Sequence, residues 1–245
     1  MQQKLRHWQR KALECYRHAL IEKEKSILWE ATPGAGKTTA ALLMLSHQLR
    51  AGKGEPCLIV VPTAHLKYQW SQAGSKFNIH LSTEVASFGL TDSAIKKNRI
   101  SRQDFRHKDF NGAVVTYQQI AQSPVLFRSF ARQSPVILDE IHHAGDGLSW
   151  GDALSMALGE ARFILCLSGT AFRSDNNPIP FISYSSAGES EPHFTYNYQE
   201  AVKDRVCRPV VFFSYGGAIS WSEDNGETVS ANLSDPLDRL TASKR

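Results

Sequence analysis

At 245 residues, with 28 Lys+Arg against 24 Asp+Glu and a formal net charge of +4, the chain is long enough to bury a full core and only mildly basic, a balance that permits an anionic partner without demanding one. Hydrophobic residues at 42% and charged residues at 21% are ordinary globular values and exclude a disordered or collagen-like chain. No apolar run approaches the ~18 residues of a membrane span, the opening MQQKLRHWQRK lacks a secretory core, and Cys15, Cys57, Cys166 and Cys207 form no CxxC pair, which argues against a disulfide framework or zinc ribbon and for a reducing, cytoplasmic setting.

Residues 5–24 place Leu5, Trp8, Ala12, Leu13, Tyr16, Ala19 and Leu20 on one face of an amphipathic helix. Ser26–Glu30 reads as a short buried strand, ATPGAGKTTA follows, and helical character runs from Thr38 to about Leu49. Cys57–Val61 is a continuous apolar strand closed by Pro62, and residues 64–75 return to a helical pattern. Ala113–Thr116, Pro135–Asp139 and Ala161–Leu167 are three more apolar runs, the last ending in Ser168-Gly169-Thr170. Such runs alternating with helices predict an α/β fold with a mostly parallel sheet covered on both faces. Residues 91–111 read as a loop-like insertion whose Lys96, Lys97, Arg99, Arg102, Arg106 and Lys108 suit a solvated surface better than a specific nucleic-acid contact. Pro209–Tyr215, Ile219–Trp221 and Glu227–Leu233 around Asp224-Asn225-Gly226 predict a C-terminal β-hairpin.

Three motifs carry chemistry, and each follows a predicted strand, the edge at which open α/β sheets bind ligands. Ala31-Thr32-Pro33-Gly34-Ala35-Gly36-Lys37-Thr38 lies between a strand and a helix, the setting of a phosphate-binding loop, with Ala31 where the usual pattern has Gly. Gly34 and Gly36 let the backbone N–H groups face phosphates, Lys37 supplies a charge for the β- and γ-phosphates, and the Thr38 hydroxyl suits Mg²⁺. Thr39 continues the helix. Asp139-Glu140-Ile141-His142 follows the strand PVILD; acids there are costly unless they bind something, although Asp-Glu at a strand end by itself is more often a helix-start signal. With the phosphate loop upstream, Asp139 is the candidate metal ligand and Glu140 the residue that orients or deprotonates a water. His142 and His143 without spaced partners are poor grounds for a separate metal site. Ser168-Gly169-Thr170 can bond to the Asp139-Glu140 region and sense its state. Trp8 and Trp70 read as core packing and Thr116-Tyr117 as a strand end.

Taken in order, these motifs resemble the first RecA-like lobe of a superfamily 2 helicase or translocase of the DEAD/DEAH type, most similar to its restriction-enzyme branch. LRHWQ resembles the adenine-reading Q motif, ATPGAGKTT motif I, IVVPTAHLKYQW motif Ia, VVTYQQI motif Ic, DEIH motif II in its DExH form and SGTAFR motif III, and YNYQEAVKDRVCRPVVF resembles the segment that closes such lobes. The resemblance spans residues 5 to about 215. It implies that Gln9 contacts adenine, that Thr32 to Thr39 bind ATP, that Thr38 and Asp139 hold Mg²⁺, that Lys37, Asp139, Glu140 and His142 are catalytic, that Pro62, Thr63, Thr116 and Tyr117 touch a nucleic acid (DNA ahead of RNA), and that Ser168, Gly169 and Thr170 couple the two. It also implies a second RecA-like lobe carrying arginine fingers, in cis or in trans; the ~30 residues after 215 are too few for one. Residues 1–215 would be the ATP-binding domain and 216–245 a hairpin and tail leading toward that lobe. The competing readings are another kind of P-loop ATPase, disfavoured by Gln9 and the PTAHLKYQW and TYQQ segments, and a stand-alone nucleotide- or nucleic-acid-binding module.

Overall fold

The structure, a computed structural model, describes residues 5–51, 55–84, 109–132, 134–145, 150–169, 178–211, 216–222 and 226–232. The chain divides into two compact units, Met1–Cys207 and Arg208–Arg245. In the first, strands β1 (Ser26–Ala31), β2 (Cys57–Val61), β3 (Leu81–Ser82), β4 (Gly112–Thr116), β5 (Pro135–Leu138), β6 (Phe163–Ser168) and β7 (Phe194–Tyr196) form one sheet in the order β3-β4-β2-β5-β6-β1-β7. Every neighbouring pair is parallel. Helix α1 (His7–Ile21) leads into β1; parallel strands need crossovers, and α2 (Lys37–Ala51) supplies that from β1 to β2, α3 (Ala64–Ser75) that from β2 to β3, α4 (Tyr117–Gln122) and α5 (Pro124–Ala131) that from β4 to β5, and α6 (Trp150–Leu158) that from β5 to β6, while α7 (Tyr198–Lys203) follows β7.

The sheet is buried on both faces, which is why its strands read as unbroken apolar runs. Successive side chains point to opposite faces. Cys57, Ile59 and Val61 of β2 join one core with Trp8, Leu45 and Trp70 from α1, α2 and α3. Leu58 and Val60 join the other, with Ile120, Phe127 and Leu154 from α4, α5 and α6. The same alternation holds in β6, with Phe163, Leu165 and Leu167 on the first face and Ile164 and Cys166 on the second.

Strands β1 to β6 apart from β3, and helices α1 to α3, fall where the sequence predicts them. The pattern assigns neither β3 and β7, which are too short to show a period, nor α4 to α7, three of which have eight residues or fewer. Asp139 lies just beyond β5 rather than within it. In the second unit β8 (Ala218–Ser222) and β9 (Thr228–Asn232) pair antiparallel, as a hairpin requires. Its expected tip, Asp224-Asn225, lies outside the described residues. Pro209–Val211, the described part of the run expected to reach Tyr215, is not a strand, and Val210 and Val211 stand 62% and 66% exposed. The six basic residues from Lys96 to Lys108 also lie outside the described residues. No helix among the described residues is long and apolar enough to cross a membrane.

Candidate nucleotide site

The sheet order decides what can meet. β6 lies between β5 and β1, so the loop after β6 must sit between the loops after its two neighbours. Those loops carry Thr32–Gly36, Asp139-Glu140 and Ser168-Gly169. β2 and β4 continue on the far side of β5 and bring Pro62, Thr63 and Thr116 to the same edge.

Five residues separate β1 from α2, with Gly34 at φ 77° and Gly36 at φ 95°, a conformation that favours glycine. The outer side of this loop is tied down carbonyl by carbonyl. The Cys207 thiol donates to the Pro33 carbonyl at 3.4 Å, Arg6 Nη1 donates to that of Ala35, and Gln9 Nε2 donates to that of Gly36 at 3.1 Å. In a planar trans peptide the N–H points opposite to the C=O. Anchoring these three carbonyls therefore turns the N–H groups of Gly34, Gly36 and Lys37 the other way, as an anion cradle at a helix N-terminus needs.

Lys37 opens α2 with its ammonium drawn back over the loop, 2.9 Å from the Ala31 carbonyl and 3.1 Å from Glu140 Oε1. Glu140 Oε2 accepts from the Gly169 N–H at 3.2 Å and lies 3.6 Å from His142 Nδ1. That nitrogen is 3.0 Å from the hydroxyl of Ser168, which is fully buried. Motifs I, II and III are thus joined through one carboxylate. Glu140 has φ 48°, a left-handed backbone unusual for a residue with a side chain and costing on the order of 1–2 kcal/mol.

Asp139 is held from three directions. Its N–H donates to the Val60 carbonyl at 2.8 Å, its own carbonyl accepts from the Tyr117 hydroxyl at 2.9 Å, and its Oδ2 accepts from Trp70 Nε1 at 2.7 Å. Burial pushes the carboxyl up to about 6; the Trp70 bond and Lys37 oppose the shift, and Glu140 adds to it. Burial, with Asp139 nearby, likewise holds the Tyr117 hydroxyl well above its ordinary range. A buried carboxylate displaced toward neutrality is a place where a cation is welcome, and α2, which carries Thr38, packs against β5. Oxygen donors of this kind fit Mg²⁺, which takes one or two protein ligands and completes its shell with phosphates and water. Among the described residues no group of three His, Cys, Asp or Glu side chains gathers as a self-sufficient metal site would.

Gln9 is 4% exposed, and its amide spans the Arg6 N–H at 3.0 Å and the Gly36 carbonyl, so it grips the loop. Thr32 is buried, Pro33 and Gly34 are exposed, Ala35 is buried, and Thr38 and Thr39 are half-buried. Thr63 is exposed at the start of α3, and Thr116 caps α4 by accepting from the Gln119 N–H at 3.2 Å. Tyr117 is 1% exposed, so its ring faces the interior and any contact with a strand of nucleic acid would fall to Thr116 and its main chain. Thr170 and Arg173 lie outside the described residues. Nothing in the sequence assigns Arg6, Cys207 or Trp70 a part in the site, because the groups they bond to are 29 or more positions away. Trp8 is core, stacked on Tyr196 at 5.1 Å and Phe194 at 6.2 Å. Trp70 is core as expected, but its N–H also reaches the site.

Residues 2–173 match the family of the type III restriction enzyme res subunit. The chain belongs to this family. It is 41% identical over 239 residues to an uncharacterized protein of Mycobacterium tuberculosis and 38% identical to one of Mycobacterium leprae, covering 95% of this chain and 37% of each relative. The chain therefore spans little more than a third of the length of these relatives. The fold is that of the RecA-like helicase lobe. A nuclease-deletion mutant of the Type ISP restriction-modification enzyme LlaGI, solved with a DNA substrate mimic, superposes with a TM-score of 0.57 at 16% identity over 83% of this chain and 21% of that one. The Sulfolobus solfataricus SWI2/SNF2 ATPase core, solved with dsDNA, gives 0.51 at 16% identity over 73% and 34%.

Proposed function

We propose that this res-family chain is the ATP-binding N-terminal lobe of a superfamily 2 DNA helicase or translocase, which couples Mg-ATP hydrolysis to nucleic-acid binding. Residues 1–215 are the lobe, and residues 216–245 lead toward a second one. The observation that carries the reading is the convergence on Glu140 of Lys37 from motif I and Gly169 from motif III, 3.1 and 3.2 Å from its two oxygens.

That arrangement has a direct chemical use. Lys37 would exchange Glu140 for the β- and γ-phosphates, whose charge it matches better, and so release Glu140 to take a proton from the attacking water. Thr38 and Asp139 would hold Mg²⁺, which screens the phosphate charge. Ser168 and Gly169, bonded to His142 and Glu140, would register that release. Thr63 and Thr116, on the same sheet edge beyond β5, would position a phosphate backbone without reading bases. Two proteins of this fold solved with DNA support DNA ahead of RNA as the partner.

Lys37→Ala is expected to weaken binding of Mg-ATP, because ground-state charge is lost. Glu140→Gln is expected to bind Mg-ATP as the wild type does while single-turnover hydrolysis falls by roughly 10²–10⁴, the usual worth of a general base. Isothermal titration and rapid-quench measurement on the two variants test this. Hydrolysis by Glu140→Gln at the wild-type rate would remove Glu140 from the chemistry and with it the motif II assignment.

A further inference from the structure

Trp70 lies two turns into α3, is 2% exposed, and would count as ordinary core but for where its one polar atom goes. Nε1 donates to Asp139 Oδ2 at 2.7 Å, short for an N–H···O bond, between groups 69 residues apart in the chain. An indole is a donor only and carries no charge. It can therefore fix the plane of a carboxylate without cancelling the negative charge a cation needs, as a lysine or arginine in the same place would. The main chain of Asp139 is already pinned on both sides, by Val60 and by the Tyr117 hydroxyl. The remaining freedom is rotation of the carboxylate, and among the described residues Trp70 is the side chain whose hydrogen bond restrains it, alongside the main-chain N–H of Glu140. With Asp139 only 8% exposed, water offers little to replace that bond.

We propose that Trp70 is a positioning residue of the ATPase centre, setting the Asp139 carboxylate in the orientation that receives the divalent cation. The inference rests on the assignment of Asp139 as a cation ligand under the proposed function. It goes beyond that assignment by giving α3 a part in the metal site, in addition to the nucleic-acid contact expected at its N-terminal end. Hydrogen-bond partners that orient metal ligands are typically worth 10–100-fold in metal affinity.

The test replaces Trp70 in the 245-residue chain by benzothienylalanine, which keeps the shape of the bicycle and puts sulfur where the N–H was, and in parallel by Phe. Binding of methylanthraniloyl-ATP is followed by fluorescence, first in EDTA and then across a magnesium titration. The expected result is unchanged binding in EDTA and a magnesium midpoint raised by roughly 10–100-fold in both variants. If the Phe variant fails to fold, the benzothienylalanine variant still decides. An unshifted magnesium midpoint in that variant would show that Trp70 serves packing alone and would overturn the proposal. A wild-type chain that binds the nucleotide equally with and without magnesium would overturn the assignment of Asp139, and this proposal with it.

Discussion

Asp139 shows how a site residue trades stability for chemistry. Its carboxyl is raised from 3.8 to about 6, chiefly by burial, so the folded chain binds a proton more tightly than the unfolded chain does. The unfolded state then holds fewer protons between those values, and stability falls as pH rises from about 4 to about 6, with the full penalty present above 6. Asp139→Asn removes that penalty and keeps an acceptor for Trp70. At pH 7 in EDTA it is expected to be more stable than the wild type by about 1–3 kcal/mol, and the difference should vanish toward pH 4. Urea unfolding at several pH values checks this; a difference that stays constant with pH would show that burial does not set the titration of Asp139. Glu140 pays in backbone strain instead, and its left-handed φ of 48° accompanies the placing of its oxygens against Lys37 and Gly169.

At the scale of elements, the phosphate loop is held by what lies outside it. α1 contributes Gln9, the residue capping its start contributes Arg6, and the segment after α7 contributes Cys207. A Cβ at position 36 would come within 3.2 Å of Gln9 Nε2, so the glycine that curls the loop also admits the side chain that braces it. The Q-motif likeness places Gln9 on adenine, whereas its bond to the Gly36 carbonyl makes it a brace. Gln9→Ala is therefore expected to weaken ATP and GTP alike by roughly fivefold to tenfold, the worth of about one neutral hydrogen bond. Competitive binding of the two nucleotides measures it. Loss confined to ATP would mean that Gln9 leaves Gly36 to read the base.

For the whole molecule, the expectation turns on charge. Lys37 and the cation would neutralise the ground-state phosphates, but a γ-phosphoryl group in transfer spreads charge that P-loop enzymes meet with an arginine finger worth 10³–10⁵ in rate. The resemblance puts that arginine on a second RecA-like lobe, and of the arginines near the loop Arg6 bonds to the Ala35 carbonyl. The 245-residue chain is therefore expected to bind ATP but to turn it over slowly with single-stranded DNA. The same chain continued to the length of its mycobacterial relatives, of which it covers 37%, should be faster by roughly 10³ or more. Steady-state ATPase of the two polypeptides decides the matter. Full turnover by the short one as a monomer would place a catalytic arginine within these residues.

The sequence by itself determined the fold class, the five long central strands, the glycine-bearing loop after β1 and the two acids after β5. These are local properties: an apolar run, a glycine that admits positive φ, or a charge at a strand end is legible from neighbours in the chain. Short elements such as β3, β7 and α4 were not, because a few residues carry no period. Only the tertiary structure decided what the site residues touch. Trp70 and Asp139 are 69 positions apart, Arg6 and Ala35 29, and Glu140 and Gly169 29. The resemblance implies a nucleic-acid contact at Tyr117, and the fold turns its hydroxyl onto the Asp139 carbonyl. The first three bonds follow from placing β6 between β5 and β1 and laying α1 and α3 over one face of the sheet, and the Tyr117 bond from α4 packing on the other. That order is fixed by the burial of two cores at once, and no pattern of residue types along the chain specifies which distant donor will meet a given acceptor.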